Sequence, residues 1–183
     1  MDFETADQGR DSACAIGLVR VEGSTVVARE HRLIRPPRRD FVFTYVHGIS
    51  WPQVSGEPTF GTVWRQVRWL LDGADFVAAH SAAFDRSVLH ACCAVARLKA
   101  PRLEFVCTMK LARVVWGVRP TRLPDVCRHL GLTLSHHDAA SDAEACAGIV
   151  TAALRHEMSP ADLMRAAGSP RARVKPTGRR ART

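Results

Sequence analysis

No apolar stretch in this chain approaches the roughly 18 residues needed to span a bilayer, so no transmembrane helix is expected. The acidic N-terminus has no basic region followed by an apolar run, so no secretory leader is expected either. The expectation is a cytoplasmic protein without a membrane partner. Cys-x-x-Cys pairs are missing among Cys14, Cys92, Cys93, Cys107, Cys127 and Cys146. Most of these lie in apolar contexts, which argues for buried free thiols against zinc or disulfides. Internal repeats are lacking, and Tyr45 is the single tyrosine.

What is there suits one globular domain. The 183 residues are 46% hydrophobic and 24% charged, enough apolar material for a core. The formal net charge is +8, and six basic residues without an acid fall in the last fifteen positions. The boundaries expected are a main domain over 1–157, a short helical extension over 158–168 and a basic, disordered tail over 169–183. Such a tail is either a solvated end or a source of salt-sensitive affinity for a phosphate backbone.

Residues 13–21 predict a strand, Glu22-Gly23-Ser24 a turn and residues 25–34 the return strand. Residues 35–48, rich in Pro, Arg and Gly, predict a loop. Apolar spacing predicts a helix over 59–71, with Trp64 and Trp69 in the core. Short strands are expected over 75–79 and 105–107, with helices over 82–98, 108–116, 122–130 and 138–156. Ser81 stands where an N-cap belongs, and Ser159-Pro160-Ala161 predicts a further turn. This order implies an α/β protein with a mixed sheet and helices on its faces.

Asp2-Phe3-Glu4-Thr5, His80-Ser81-Ala82-Ala83-Phe84-Asp85 and His137-Asp138-Ala139-Ala140-Ser141-Asp142 concentrate the chemistry. On a strand Asp2 and Glu4 share one face and Phe3 takes the other. Two adjacent acids repel unless a cation lies between them, although a solvated chain end explains them too. Asp85 falls in the first turn of its helix, where it borders an apolar stripe or simply favours the macrodipole. Asp142 flanks the apolar face made by Ala139, Ala143, Cys146 and Val150. A carboxylate there needs a partner, and a metal ion is one. Five residues of helix turn through about 500°, so His137 belongs to the loop entering that helix, with Asp138 as its cap. His136 beside it reads as an ordinary surface histidine. Four ionised acids match the charge of two divalent cations, and oxygen ligands suit Mg²⁺ or Mn²⁺. Acids, cations and an imidazole are what cutting a phosphodiester requires.

The three blocks resemble the three motifs of the DnaQ-like, or DEDDh, 3′–5′ exonucleases, above all the proofreading epsilon subunit of DNA polymerase III and its stand-alone relatives. Similarity extends to Ser12–Leu18, His47-Gly48-Ile49-Ser50, Cys107-Thr108, Leu111-Ala112 and Leu130-Gly131-Leu132. The resemblance implies a ribonuclease H-like fold with a five-stranded mixed sheet flanked by helices. It implies that Asp2, Glu4, Asp85 and Asp142 bind two Mg²⁺ or Mn²⁺ ions, and that His137 is the general base. Phe3, Thr5, His80 and Phe84 stand in the same motifs and are expected to contact nucleic acid. Two departures stand out. Ser81 replaces the usual Asn of the second motif, and only Met1 precedes Asp2 where the family has several apolar residues. The first strand is therefore expected to be truncated, with the start assigned too late.

The activity implied is removal of nucleoside 5′-monophosphates from the 3′ end of single-stranded DNA, in replication or repair, with a polymerase subunit as a partner. One rival is an RNA 3′-end exoribonuclease of the same superfamily. Another is a non-catalytic subunit that binds nucleic acid or polymerase.

Overall fold

Phe3 turns into the core, and the acids flanking it face the other way, toward a cavity. The computed structural model describes residues 1–168; the tail expected to be disordered over 169–183 lies outside the described residues. Strand β1 (Asp2–Thr5) pairs antiparallel with β2 (Ala13–Glu22), which pairs antiparallel with β3 (Thr25–Leu33). Phe3 lies opposite Ile16 and Asp2 opposite Gly17. Strands β4 (Phe76–Ala79) and β5 (Glu104–Cys107) form a parallel pair.

The α/β class matches expectation, but among the described residues the strands form a three-stranded and a two-stranded sheet rather than one five-stranded sheet. Strand β1 pairs with β2 alone, and β4 pairs with β5. The Met1 ammonium crosses the division, donating to the Ala78 carbonyl at 2.9 Å. Next to it a cavity of about 740 Å³ separates the far half of β2 from β4, with Met1, Leu18, Arg20 and Val77 in its wall.

Two single helical turns, α1 (Thr44–His47) and α2 (Trp51–Val54), follow β3. The expected loop over 35–48 thus contains a turn of helix. Gly48, at φ 75°, ends α1 in the left-handed region that glycine enters without strain. Gln53 then accepts from the Ser50 N–H at 2.7 Å and starts α2. Helix α3 (Phe60–Val67) continues as a 3₁₀ turn over Arg68–Leu71. That tighter winding carries Trp69 out of phase with the apolar stripe. Trp64 is buried as expected, whereas Trp69 is 46% exposed, against expectation.

Helix α4 (Ala82–Val95) follows β4. After β5 come α5 (Thr108–Trp116), α6 (Leu123–Leu130), α7 (Ala139–Arg155) and α8 (Pro160–Ala167). One core joins Phe3, Ile16 and Leu18 to Phe60, Trp64 and Leu89. The other joins Val106, Leu111 and Val126 to Ile149 and Leu163. Leu163 and Ala167 are buried, so the extension over 158–168 packs into the domain. All six cysteines are free, and only Cys107 is partly exposed. Among the described residues no helix is long and apolar enough to cross a membrane.

Candidate active site

Gly17 lets α7 reach the sheet. A Cβ at that position would lie 1.8 Å from the Ala139 carbonyl oxygen, so only glycine admits the first turn of α7 over β2. Asp138 fixes where that turn begins, accepting from the Ser141 N–H at 2.9 Å. Asp142 follows one turn later, on the side of β1 that carries Asp2 and Glu4. One carboxylate oxygen from each of these three acids lies within 4.8 Å of the others. Asp85 enters from the first turn of α4 and is 2% exposed. Its Oδ1 accepts from the Phe3 N–H at 3.2 Å.

All four acids and His137 thus line one cavity of about 550 Å³. His137 stands in the loop before α7 and adopts φ 68°, which side chains other than glycine rarely take. Its N–H donates to Asp142 Oδ2 at 3.3 Å. Ser81 occupies the N-cap position of α4 without forming a side-chain cap, so the expected capping bond is not made. Its carbonyl accepts from the Phe84 N–H at 2.7 Å instead. The Ser81 side chain is free to face the cavity.

Burial and crowding raise the affinity of these acids for protons. Burial, followed by the charges of Asp85, Asp142 and Glu4, raises Asp2 well above the usual carboxylate range. Burial and the neighbouring acids push Glu4 up to about 8. Burial takes Asp85 to about 7. Asp142 is raised by burial despite the opposing pull of His136. His137 is lowered, first by desolvation and then by His136, so its imidazole is neutral at physiological pH. A set of oxygen donors that repel one another in a part-buried pocket fits hard divalent cations, whose charge offsets the repulsion.

The four expected nucleic-acid contacts line the same cavity but differ in what they offer. Phe84 is partly exposed, with the Arg10 guanidinium 4.5 Å from its ring centre. Phe3 is 3% exposed and packs against Phe60, and Thr5 is buried. His80 spends both ring nitrogens inside the protein. Nε2 donates to the Thr121 carbonyl at 2.9 Å, and Nδ1 accepts from Thr108 Oγ1 at 2.9 Å. Burial holds it neutral, at about 4. Its ring is a wall of the cavity and its polar atoms are not free for a ligand.

Two residues of the site are not apparent in the linear pattern, and His47, which is, takes a role the pattern does not give. His136 Nδ1 lies 3.1 Å from Asp142 Oδ2, and its ring stacks on His137 at 3.7 Å. The doubled histidine was its only trace in the sequence. Tyr45, remote from the third motif along the chain, is 83% exposed at the cavity rim. His47 donates from Nε2 to the Thr5 carbonyl at 3.1 Å and ties the 41–48 segment to the end of β1.

Fold and site together define a class: an α/β protein whose converging acids and histidine suit divalent cations and phosphodiester chemistry. The exonuclease family model RNase_T matches residues 1–150. The chain belongs to this exonuclease family. It is 32% identical over 137 residues to the 3′-5′ exonuclease DinG of Bacillus subtilis (strain 168), a match covering 73% of this chain. The chain spans only 15% of that relative's length. Its fold is similar to Exonuclease X in complex with 5′ overhanging duplex DNA (TM-score 0.72, 24% identity, 88% of this chain and 94% of that one). It is also similar to the nuclease domain of 3′hExo, a DEDDh family member, bound to rAMP (TM-score 0.71, 19% identity, 85% and 90%). The expectation of a non-catalytic subunit gives way to an enzyme.

Proposed function

We propose that the protein removes nucleoside 5′-monophosphates one at a time from the 3′ end of single-stranded DNA. The observation that carries this reading is the meeting of Asp2, Glu4, Asp85, Asp142 and His137 at one cavity. Asp2, Glu4, Asp85 and Asp142 would hold two divalent cations, Mg²⁺ or Mn²⁺. When bound, such cations supply Lewis acidity toward the phosphodiester and neutralise the acids.

The chain's own residues do the rest. His137, neutral because its affinity for a proton is lowered, takes the proton of the attacking water on a ring nitrogen. Asp142 accepts from the His137 N–H and orients that residue. Phe84 and Tyr45 offer aromatic faces to the terminal bases, each worth about 1–3 kcal/mol when stacked. Phe3, Thr5 and His80 shape the floor and wall of the pocket. The setting this reading implies is cytoplasmic replication or repair, with a polymerase subunit as a partner to be sought by co-purification.

RNA is the second reading, supported by the similarity to 3′hExo bound to rAMP. The choice turns on contacts near the 2′ position. Single-stranded DNA and RNA of equal length, labelled at the 3′ or the 5′ end, are incubated with Mg²⁺ or Mn²⁺ and resolved on denaturing gels. A ladder shortening from the 3′ end of DNA, abolished by EDTA, is expected. Faster loss of RNA would transfer the assignment to RNA, and cleavage in excess EDTA would end the metal-dependent reading.

A further inference from the structure

We propose that His136, His137 and Asp142 form a nitrogen-rich metal site on the rim of the acidic cavity. It takes a borderline transition cation such as Zn²⁺, which holds the enzyme inactive. The two imidazoles and the carboxylate each offer a donor atom within 4.8 Å of the others. Consecutive residues of an extended chain point to opposite sides. The left-handed turn at His137, φ 68°, bends the chain there, and the two rings stack with centres 3.7 Å apart and planes 25° apart. His136 already engages both Asp142 oxygens, at 3.1 and 3.4 Å. Both histidines are exposed, so a cation reaches them from solvent.

Two imidazoles and one carboxylate with an open fourth position are a donor set that zinc accepts in tetrahedral geometry. Bonds of about 2.1 Å require donors about 3.4 Å apart, a contraction that rotation of exposed rings supplies. Imidazole favours Zn²⁺, whereas Mg²⁺ prefers oxygen. Asp142 also belongs to the all-oxygen set with Asp2 and Glu4. A cation on the rim therefore withdraws one carboxylate from that set and a lone pair from His137. Zn²⁺ and Mg²⁺ are antagonists at this cavity.

The test is equilibrium binding to the full chain without nucleic acid, so its result is separate from whether the chain degrades DNA. Zn²⁺ and Mg²⁺ are each titrated calorimetrically into wild type, His136→Ala and His136→Asn, with circular dichroism verifying the fold of each. Co²⁺ absorption reports the donors. The expected result is a loss of Zn²⁺ affinity of at least about tenfold in both variants, with Mg²⁺ affinity nearly unchanged. Zn²⁺ inhibition of cleavage weakens in the same ratio. Wild-type Zn²⁺ affinity in the variants overturns the proposal. Equal losses for Zn²⁺ and Mg²⁺ also overturn it, since His136 would then only support Asp142. A cobalt–thiolate band would assign binding to a cysteine and overturn it as well.

Discussion

The backbone N–H of Phe3 donates to Asp85 Oδ1 at 3.2 Å, across 82 positions of sequence. One residue thereby serves both sides of the sheet. Its side chain packs into the core beside Phe60, while its amide holds a site carboxylate supplied by a distant helix. The bond gives Asp85 a partner at 2% exposure, where an unpaired carboxylate is costly. It also links the first two motifs without any metal. The same pocket nevertheless keeps four acids close together, and that tension gives rise to the predictions below.

Metal-free protein should lose stability as pH rises. The folded chain raises Glu4 from 4.5 to about 8 and Asp85 from 3.8 to about 7, so it binds more protons than the unfolded chain between those limits. The contribution is fully present below the unfolded values and is lost as pH climbs through the folded ones. Melting in EDTA should fall by about 5 °C or more between pH 5 and pH 8.5, and Mg²⁺ should restore most of it at pH 8.5. A flat profile in EDTA would contradict the crowding of these acids.

Asp142→Asn should separate stability from function. The amide removes a part-buried charge whose ionisation the fold disfavours. In EDTA at pH 8 the variant should melt about 2–4 °C above wild type. Its divalent-cation affinity should fall by at least about tenfold. Calorimetric titration and thermal melts read the two effects on the same sample.

His137→Ala should cut the single-turnover cleavage rate by about 10²–10⁴-fold, the range for a lost general base. Mg²⁺ affinity should stay close to wild type, because the Asp142 contact comes from the backbone N–H. Undiminished cleavage would remove His137 from its assigned role.

Gly17→Ala places a methyl group 1.8 Å from the Ala139 carbonyl oxygen. Helix α7 must shift, at a cost of about 1–3 kcal/mol or more, read by urea denaturation. Asp142 moves with its helix, so weaker Mg²⁺ binding should accompany the loss. A destabilised variant with unchanged Mg²⁺ affinity would show that α7 is not positioned in this way.

Tyr45→Ala should raise KM for a single-stranded oligonucleotide by about 5–10-fold, the lower part of the range for a lost stacking face. As the side chain is 83% exposed, the melting temperature should not change. An unaltered KM would place the terminal bases elsewhere on the rim.

Local chemistry in the sequence already determined much of this protein. Alternation along Asp-Phe-Glu-Thr assigned the faces of β1, apolar spacing marked the long helices, and the five-residue offset put His137 in a loop before Asp142. Those signals act within a few residues, where backbone geometry alone dictates which side chains share a face. Tertiary structure decided what depends on distant segments meeting. The absent side chain of Gly17 brings α7 onto β2, where Asp142 meets Asp2 and Glu4. The left-handed turn at His137 stacks His136 on it beside Asp142, and the 41–48 segment carries Tyr45 to the cavity. Such contacts are settled by shape and by competition for burial across the whole chain, and no local pattern records them.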